Sequence, residues 1–552
     1  MLKPLRTLAA VLLALLATHT VAAAQSQEEQ RLEELRNTVV NLLQALVQRG
    51  VITREQADAM VKQAEEKAAA DAALAAQKEK QQEKEEANAV RVPYVPEIVK
   101  EQIAKEVAQT VEPVVTQQVV TQAKTEGWGV PAALPDWLNR VTFSGDVRVR
   151  GEADIYPAGN AQGAYLNLNA INTDGGISEA GDAAFLNTST DRYYPLVRLR
   201  LNMNAILGDG WSIGTRIGTG TLVNPDSLNQ VMGQYGGRYT TDIDLAFIQW
   251  EGTASKGRQE FRFMAGKYPN PFFYSDLVWM PDVTFEGFAT EYRLGIAPSP
   301  EVPYHWFLTL AAIPEQYVPL TADYGPASNN KWLYAGQTGF DFETSAGSRL
   351  QFGVAYYDFN HMAGEKNTLD SDLLNYTAPP YFQKGNTVFD ISNTDNPTSG
   401  NLFALASEFH ELDYMIGYTY AISSTFQFNS FLDYVRNLGY DAEAVAQRVG
   451  YYVRPRVDGY EGQIGFGSPL LDHFGAWDAF IGYRYLERDA VVDAFTDQDY
   501  HLGGTDARGY MLGADASLTK RVWVRLRYMP FDAIDGPPLA IDVWQLDLNA
   551  RF

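Results

Sequence analysis

The sequence predicts an antiparallel transmembrane β-barrel of about sixteen strands, preceded by an N-terminal helical segment. Three observations favour this class. Apolar and polar residues alternate one by one from about residue 141 to the end of the chain. Long and short polar links follow each other in alternation over the same region. The last residues, WQLDLNARF (544–552), form a half-apolar strand that ends on phenylalanine, whereas the ends of soluble domains are usually polar and frayed.

Composition removes several classes of protein. The 552 residues suffice for several soluble domains or for one large barrel with an appendage. The chain has no cysteine, which excludes disulfides, thiol nucleophiles and cysteine-based zinc sites. A net charge of −24 argues against nucleic acid as a partner, because phosphates require a basic surface. The mean hydropathy of −0.24 excludes only a helical membrane protein, since a barrel alternates lipid-facing and lumen-facing residues.

Residues 1–24 are predicted to be a signal peptide. Basic residues precede the apolar run Leu8–Ala17, and the small residues Ala22–Ala24 provide a cleavage site. The apolar run is too short to span a bilayer, and no later segment has about 18 consecutive apolar residues. We therefore expect an exported protein without a helical membrane span.

Residues 25–90 and 91–140 are predicted to form helical segments. The first is rich in Glu, Gln, Lys, Ala and Leu and has no proline, and apolar residues recur at helical spacing over Leu32–Val47. Prolines punctuate the second, which carries another apolar seam over Ile98–Val111. Stripes this narrow cannot be buried within one helix, so we expect coiled-coil-like self-association in the periplasm. A flexible tether is the alternative.

From residue 141 the apolar period falls from about 3.6 to 2, which is the period of strands. The segments VTFSGDVRVRGE (141–152), LVRLRLNMNA (196–205) and RVWVRLRY (521–528) place apolar residues on one face and mostly arginine or asparagine on the other. A soluble β-sandwich also alternates in this way, so the period alone does not decide the class.

The links between the strands decide the class. Short links occur at 207–210, 253–258, 295–302, 345–348, 422–425, 469–475 and 518–521. Long polar links occur near 154–190, 223–238, 270–282, 315–330, 361–400, 438–456, 490–505 and 531–538. Such sorting is typical of outer-membrane barrels, which have short periplasmic turns and long extracellular loops. The closing strand, 540–552, should pair with 141–152 so that no edge is left open in the membrane.

Three segments carry a resemblance to a known family: GKYPNPFFYSDLVWMPD (266–282), HLGGTDARGYMLGADASL (501–518) and the terminal LDLNARF. With the leader, they resemble the outer-membrane porins of Gram-negative bacteria, and more narrowly the "Putative porin" family, which joins an N-terminal helical segment to a barrel at residues 141–552. The resemblance implies passive diffusion of small hydrophilic solutes or ions through the outer membrane. It also implies a homotrimer with periplasmic helices.

A search for reactive groups finds little. There is no His-Glu-x-x-His zinc pattern and no Gly-x-Ser-x-Gly nucleophile elbow, so we expect no catalytic residue, metal site or cofactor. His410 is expected to be a barrel-wall histidine in a charged lining. The acids of 489–506 fit calcium chemistry but not the EF-hand pattern, so a calcium site remains open; they are Asp489, Asp493, Asp497, Asp499 and Asp506. Two alternatives to a porin remain: a barrel that only anchors a tether or adhesin, and an outer-membrane hydrolase.

Charged residues on the polar faces of the strands are predicted to line the pore. An outward arginine would cost about 2–4 kcal/mol at the bilayer midplane, which favours the inward assignment. The predicted lining residues are Arg148, Arg150, Arg198, Arg200, Arg216, Asp242, Asp244, Arg484, Arg488, Arg525, Arg527 and Arg551. We expect the arginines to form one sector of wall and the carboxylates, including those of the link 154–190, to face them. Local pairing of arginine with aspartate, without a net field across the pore, is the alternative. The apolar link 269–282 is expected to fold into the barrel mouth, or otherwise to contact a neighbouring subunit.

Overall fold

Sixteen antiparallel strands close into a barrel in the computed structural model, which describes residues 140–220, 224–296, 304–319, 329–344, 347–393 and 400–552. The predicted class and strand number are confirmed. The strands are β1 Val141–Ile155, β2 Arg192–Gly208, β3 Trp211–Thr219, β4 Thr241–Ala254, β5 Gln259–Pro269, β6 Thr284–Gly295, β7 Tyr304–Gln316, β8 Lys331–Glu343, β9 Arg349–Asn360, β10 Phe409–Ala421, β11 Gln427–Asn437, β12 Asp458–Gly467, β13 Trp477–Leu486, β14 Ala507–Ser517, β15 Val522–Ala533 and β16 Ala540–Arg551.

The first and last strands pair and close the barrel. In their register Val149 lies opposite Leu548, and Asp146 lies opposite Arg551. The backbone N–H of Phe552 donates to the carbonyl of Gly145 at 3.0 Å, so the final residue is part of the closure. A Cβ at position 145 would lie 2.7 Å from the Phe552 ring, and only glycine allows this close approach. Closure removes the free edge that a bilayer cannot hydrate.

Alternation along the strands separates an outer and an inner face. On β16, Leu546 and Leu548 are 56% and 48% exposed, whereas Gln545 and Asp547 between them are each 1% exposed. The exposed set is apolar and the enclosed set is polar, as expected for a wall between lipid and a polar lumen. The lipid-facing positions predicted on the last strand are therefore confirmed.

The links are sorted by length between the two ends of the barrel, as predicted. The long links are L1 (156–191), L2 (220–240), L3 (270–283), L4 (317–330), L5 (361–408), L6 (438–457), L7 (487–506) and L8 (534–539). Seven links join the strands at the other end; all are shorter than L1 to L7, and only 296–303 and 468–476 are longer than L8. The tightest of them uses Asp209 and Gly210, both with positive φ, a conformation that suits a two-residue hairpin turn.

Short elements order the long links. The helices are α1 Leu168–Asp174, α2 Ile177–Ala180 and α3 Ala442–Val449, and the 3-10 turns are Gly181–Ala184, Ser255–Gly257, Asn375–Thr377 and Asp493–Phe495. Small strands lie at Gln230–Val231, Val388–Asp390 and Phe403–Leu405. The Asp441 side chain accepts the N–H groups of Glu443 and Ala444 and thereby caps α3. In the part of the chain that the structure describes, no helix is long and apolar enough to cross a membrane.

Several sequence predictions lie outside the described residues. These are the signal peptide (1–24), the helical segment 25–90, nearly all of the segment 91–140, and most of the short link 295–302.

Candidate functional site

L3 folds into the barrel instead of extending into solvent. Its Trp279 is 1% exposed and packs edge-on against Tyr357 of β9 and Phe285 of β6. The backbone of Phe273 exchanges two hydrogen bonds with the side-chain amide of Gln337 on β8, at 2.7 and 2.6 Å. Burial of this apolar segment removes it from water. The predicted inward folding of the third long link is confirmed.

The C-terminal end of L3 is held by two arginines of β2. Asp282 accepts hydrogen bonds from Arg198 and Arg200, at 3.0 Å each. Both arginines also pair with Asp146 of β1, at 3.2 and 2.8 Å. Burial alone would raise the pKa of Asp282, but the two guanidiniums outweigh it and hold this pKa below its usual range.

The middle of L3 is anchored on another part of the wall. The Ser275 hydroxyl donates to Asp433 of β11 at 2.5 Å. Asp276 accepts a short hydrogen bond from Tyr500 of L7 and pairs with Arg484 of β13 at 3.4 Å. L3 is therefore fixed at the β2 side and at the β11–β13 side, and it crosses the lumen between them.

L7 is a second inward loop, and its anchor is Asp499. This carboxylate pairs with Arg150 of β1 at 2.8 Å and with Arg527 of β15 at 2.6 Å, and Arg150 also pairs with Asp547 at 2.7 Å. Burial acts to raise the pKa of Asp499, but the guanidiniums of Arg150 and Arg527 hold it well below its usual range. Burial raises the pKa of the neighbouring Asp497 to about 8, with the Asp499 charge adding to the effect.

A cavity of about 560 Å³ lies between L3, L7 and the barrel wall. We call it the arginine chamber. Its charged lining consists of Arg148, Arg198, Arg200, Arg525, Arg527, Asp276, Asp282, Asp478, Asp497, Asp499 and Asp515. The Nε atoms of Arg148, Arg198 and Arg527 are buried without a hydrogen-bond acceptor. Arg148 donates to Asn229 at 2.6 Å and has no carboxylate partner among the described residues.

Two guanidiniums of this chamber, those of Arg525 and Arg200, are more accessible than a carboxylate with which each of them pairs. The side chain of Arg525 is 39% exposed and that of its partner Asp515 is 1% exposed. Arg200 is 23% exposed against 2% for Asp282. At these two pairs a solute therefore meets the donor edge of the arginine, because the carboxylate lies behind it.

The other predicted lining residues lie elsewhere. Arg216 pairs with Asp244 on the neighbouring strand. Arg484 is 2% exposed and donates to Glu461 at 2.7 Å. Arg488 lies in L7, beyond the end of β13, and donates to the carbonyl of Arg454.

Three further predicted residues complete the set. Arg150 is 1% exposed within its ion pairs, so it does not line the chamber. Arg551 lies against the Trp523 ring, 5.4 Å from its centroid, and donates to the Leu471 carbonyl. Asp242 lines a different cavity, described next.

A second cavity, of about 370 Å³, lies among L2, L5, L7 and strands β4–β8. We call it the acidic chamber. Its charged lining consists of Asp242, Asp244, Asp282, Glu286, Glu315, Asp493, Lys267 and Lys331. Asp282 of L3 lines both chambers. The loop therefore lies between two cavities of different accessible charge.

The expected separation of basic and acidic walls is wrong for the arginine sector. Arg525 lies directly across from Asp515 in the strand ladder, and Arg150 from Asp547. Facing side chains of adjacent strands are close enough to pair, so these two arginines are neutralised locally. Of the carboxylates expected from the first link, Asp154 instead accepts a hydrogen bond from Tyr194 at 3.1 Å.

Two other side-chain predictions can be placed. The acids of L7 have separate partners: Asp489 accepts hydrogen bonds from Thr387, and Asp499 pairs with arginines. Across the described ranges no group of three acidic or histidine side chains converges to hold a metal ion. His410 was expected in the lumen lining, but it shares the outward face of β10 with Tyr414 and pairs with Asp358 at 2.5 Å.

The inward L7 is the main feature that the sequence analysis missed. Its acids were considered only for calcium, although the apolar run 490–495 within a polar link resembles the L3 signal. This run is buried against L3: the N–H of Met280 donates to the carbonyl of Phe495 at 2.8 Å. An apolar stretch in a long link was therefore the available indication of inward folding.

Comparison with known proteins places the chain in a family. Residues 36–552 match the family described as "Putative porin", and no curated protein matches in sequence. Among solved structures, OprB of Pseudomonas putida at high pH is similar with 12% identity and a TM-score of 0.40, over 77% of this chain and 97% of that one. The channel DcaP of Acinetobacter baumannii shows 12% identity and 0.37 over 75% and 97%. OmpF of Salmonella typhi, complexed with daunomycin, shows 10% and 0.36 over 75% and 97%.

Proposed function

The chain belongs to the "Putative porin" family and is a passive diffusion channel of the outer membrane, and from that premise we propose that its solutes pass through the arginine chamber. There the guanidinium edges of Arg200 and Arg525 meet them. The channel accordingly favours small hydrophilic anions at this point of the path.

One observation carries this proposal: the side chains of Arg200 and Arg525 are exposed to the chamber, whereas their partners Asp282 and Asp515 are almost fully covered. The side chain of Arg527 is 13% exposed and that of its partner Asp499 is 5% exposed. In this pair too, the arginine is the more exposed partner. A carboxylate or phosphate oxygen is the acceptor that guanidinium binds best.

Reversal potentials in planar bilayers test the selectivity. Replacing Arg200 and Arg525 by glutamine is expected to shift the reversal potential towards cations, more strongly at low salt, where charges are less screened. Arg262→Gln is the matched control. It removes a lumen arginine that pairs with Glu251 and Glu291 outside the chamber.

The outcomes separate the possible functions. An equal shift in the control would mean that overall charge, and not the chamber, sets selectivity. A folded barrel without conductance would favour the anchor or adhesin alternative over a channel. Conductance that is unchanged in all variants would place the permeation path elsewhere.

We also propose that the predicted N-terminal segments lie in the periplasm. The start of β1 supports this: Val141 pairs with Ala205, close to the turn after Gly208, and so lies at the short-link end of the barrel. Short links face the periplasm in bacterial outer-membrane barrels. The proposal includes removal of residues 1–24 on export and coiled-coil association of 25–90 and 91–140.

The proposed assembly is a homotrimer with β1–β3 and L2 at the subunit contact. The outward positions of β3 after Trp211 are small or aliphatic (Ile213, Thr215 and Ile217), and Tyr235 of L2 is fully exposed. This exposed apolar surface is available to a neighbouring subunit.

The chain has no cysteine, so crosslinking by single introduced thiols tests this contact. Tyr235→Cys should give crosslinked oligomers with a short bifunctional maleimide. The control is Tyr334→Cys, at an outward position of β8 that is 48% exposed. Equal crosslinking from both positions would contradict the assignment.

A further inference from the structure

The acidic chamber has charge that its own residues do not neutralise. Lys267 pairs with Glu286 at 2.9 Å. The ammonium of Lys331 donates to the carbonyl of Thr377 at 2.9 Å and pairs with no carboxylate. Asp244 and Asp282 have arginine partners. Within the described residues this leaves three lining carboxylates, those of Asp242, Glu315 and Asp493, without an ion-pair partner.

Asp493 is the most notable of the three. It is 1% exposed, it lines the cavity, and neither of its carboxylate oxygens accepts a hydrogen bond. Its position is fixed, because its backbone N–H donates to the Asn386 side chain at 2.8 Å. A buried carboxylate without partners is costly. A cationic group that enters the cavity would lower this cost.

The remaining lining of the acidic chamber is largely apolar. It includes Pro379, Pro380, Tyr381, Leu405 and Phe495. A hydrated inorganic ion gains nothing from such a wall, and no three carboxylates of the described chain converge closely enough to chelate a metal. A cation on an apolar body can use both parts of the lining. The cavity of about 370 Å³ is within the usual range for small-molecule sites.

We propose that the acidic chamber is a binding site for small organic cations that carry an ammonium or guanidinium group on an apolar body. The charged group is bound by Asp493, with the carboxylates of Asp242 and Glu315 in the same lining, and the body packs against Tyr381 and Phe495. Since the acidic chamber and the arginine chamber share Asp282, cations and anions have separate sites on the two sides of L3. This inference rests on the proposed function, because its occupant enters through the channel.

Blockade of the open channel by benzylamine tests the site. With the full-length protein in planar bilayers, benzylamine added at the long-link side is expected to cause saturable interruptions of the current. Benzyl alcohol, which has the same apolar body without the charge, should cause none. Asp242→Asn and Asp493→Asn should each weaken the blockade about tenfold or more, as expected for loss of a hydrogen bond to a charged group. Asp182→Asn, at an exposed position of L1, is the matched control for loss of one negative charge.

Each outcome has one meaning. Blockade that is weakened in both chamber variants and kept in the control supports the site. Equal blockade by benzyl alcohol, or equal weakening in the control, overturns it. Magnesium chloride that competes with benzylamine at equal concentration would make the site a general counter-ion region and would also overturn it. Conductance without benzylamine shows that the channel works, so a missing blockade then refutes only this inference, whereas missing conductance refutes the proposed function.

Discussion

Replacement of Asp499 by asparagine should both destabilise the barrel and widen its lumen. Asp499 joins L7 to Arg150 and Arg527, and the side chains of Asp499 and Arg150 are 5% and 0% exposed. Asparagine keeps the size of the side chain but removes its charge. Two guanidiniums then lose a shared carboxylate in a place that water barely reaches.

The expected size of the effect follows from burial. Breaking a buried ion pair by neutralising one partner costs about 3–5 kcal/mol, because the other charge remains buried. Arg150 keeps its pair with Asp547. The expected loss in the free energy of unfolding is therefore near the lower end of this range, about 3 kcal/mol. L7 keeps other anchors, such as the hydrogen bonds from Thr387 to Asp489, so we expect loosening of the loop and not its complete release.

Urea unfolding followed by tryptophan fluorescence measures the loss of stability, and single-channel conductance measures the widening. Asp535→Asn is the matched control, since the side chains of Asp535 and its partner Arg456 are 30% and 18% exposed. A solvent-exposed pair contributes about 0–1 kcal/mol. If the two variants lose the same free energy of unfolding, or if Asp499→Asn leaves conductance unchanged, the anchoring role of Asp499 is refuted.

Three further predictions concern other parts of the chain. Shortening L3 within 270–279 should raise single-channel conductance, because the loop crosses the lumen; unchanged conductance would mean that the path avoids it. The pKa of Asp497 is raised to about 8, so its folded state retains a proton that the unfolded chain releases near pH 4. Stability should therefore fall as the pH rises from about 4 to 8, and Asp497→Asn should reduce this slope in urea titrations. Deleting 27–125 should leave an assembled barrel with altered oligomer stability in native mass spectrometry, and labelling of these residues at the cell surface would contradict their periplasmic placement.

The sequence was sufficient for the barrel because its signals are local. Strand alternation has a period of two, and each link can be read from its own length and polarity, so the strand number and closure follow from neighbouring residues alone. The inward course of L3 also followed from a local feature, namely apolar side chains in an exposed link. The burial of Trp279 in the structure removes an apolar side chain from water, which is the physical reason for the inward course of the loop.

The partners of the arginines could not be predicted in the same way. The pair Arg150–Asp499 joins residues 349 positions apart, and Arg150–Asp547 joins residues 397 apart. Such contacts depend on strand register and on the course of L7, and alternation does not determine either. Alternation assigns a face to a residue but does not say whether an arginine on that face meets solute, a neighbouring carboxylate or a loop. Arg150 and Arg525 share the inward face, but only Arg525 is substantially exposed.

The difference between lying on the inward face and being exposed to solute also explains why the net charge of −24 does not predict which ions the pore favours. A solute responds to the groups it can approach, since buried charges act on it only through partners that already compensate them. In the arginine chamber the carboxylates of Asp282 and Asp515 are almost fully covered, while guanidinium edges remain open. In the acidic chamber the partly exposed Asp242 lacks an ion-pair partner among the described residues. The accessible charge thus reverses across L3 within one acidic protein, and loop folding determines this reversal more than amino-acid composition does.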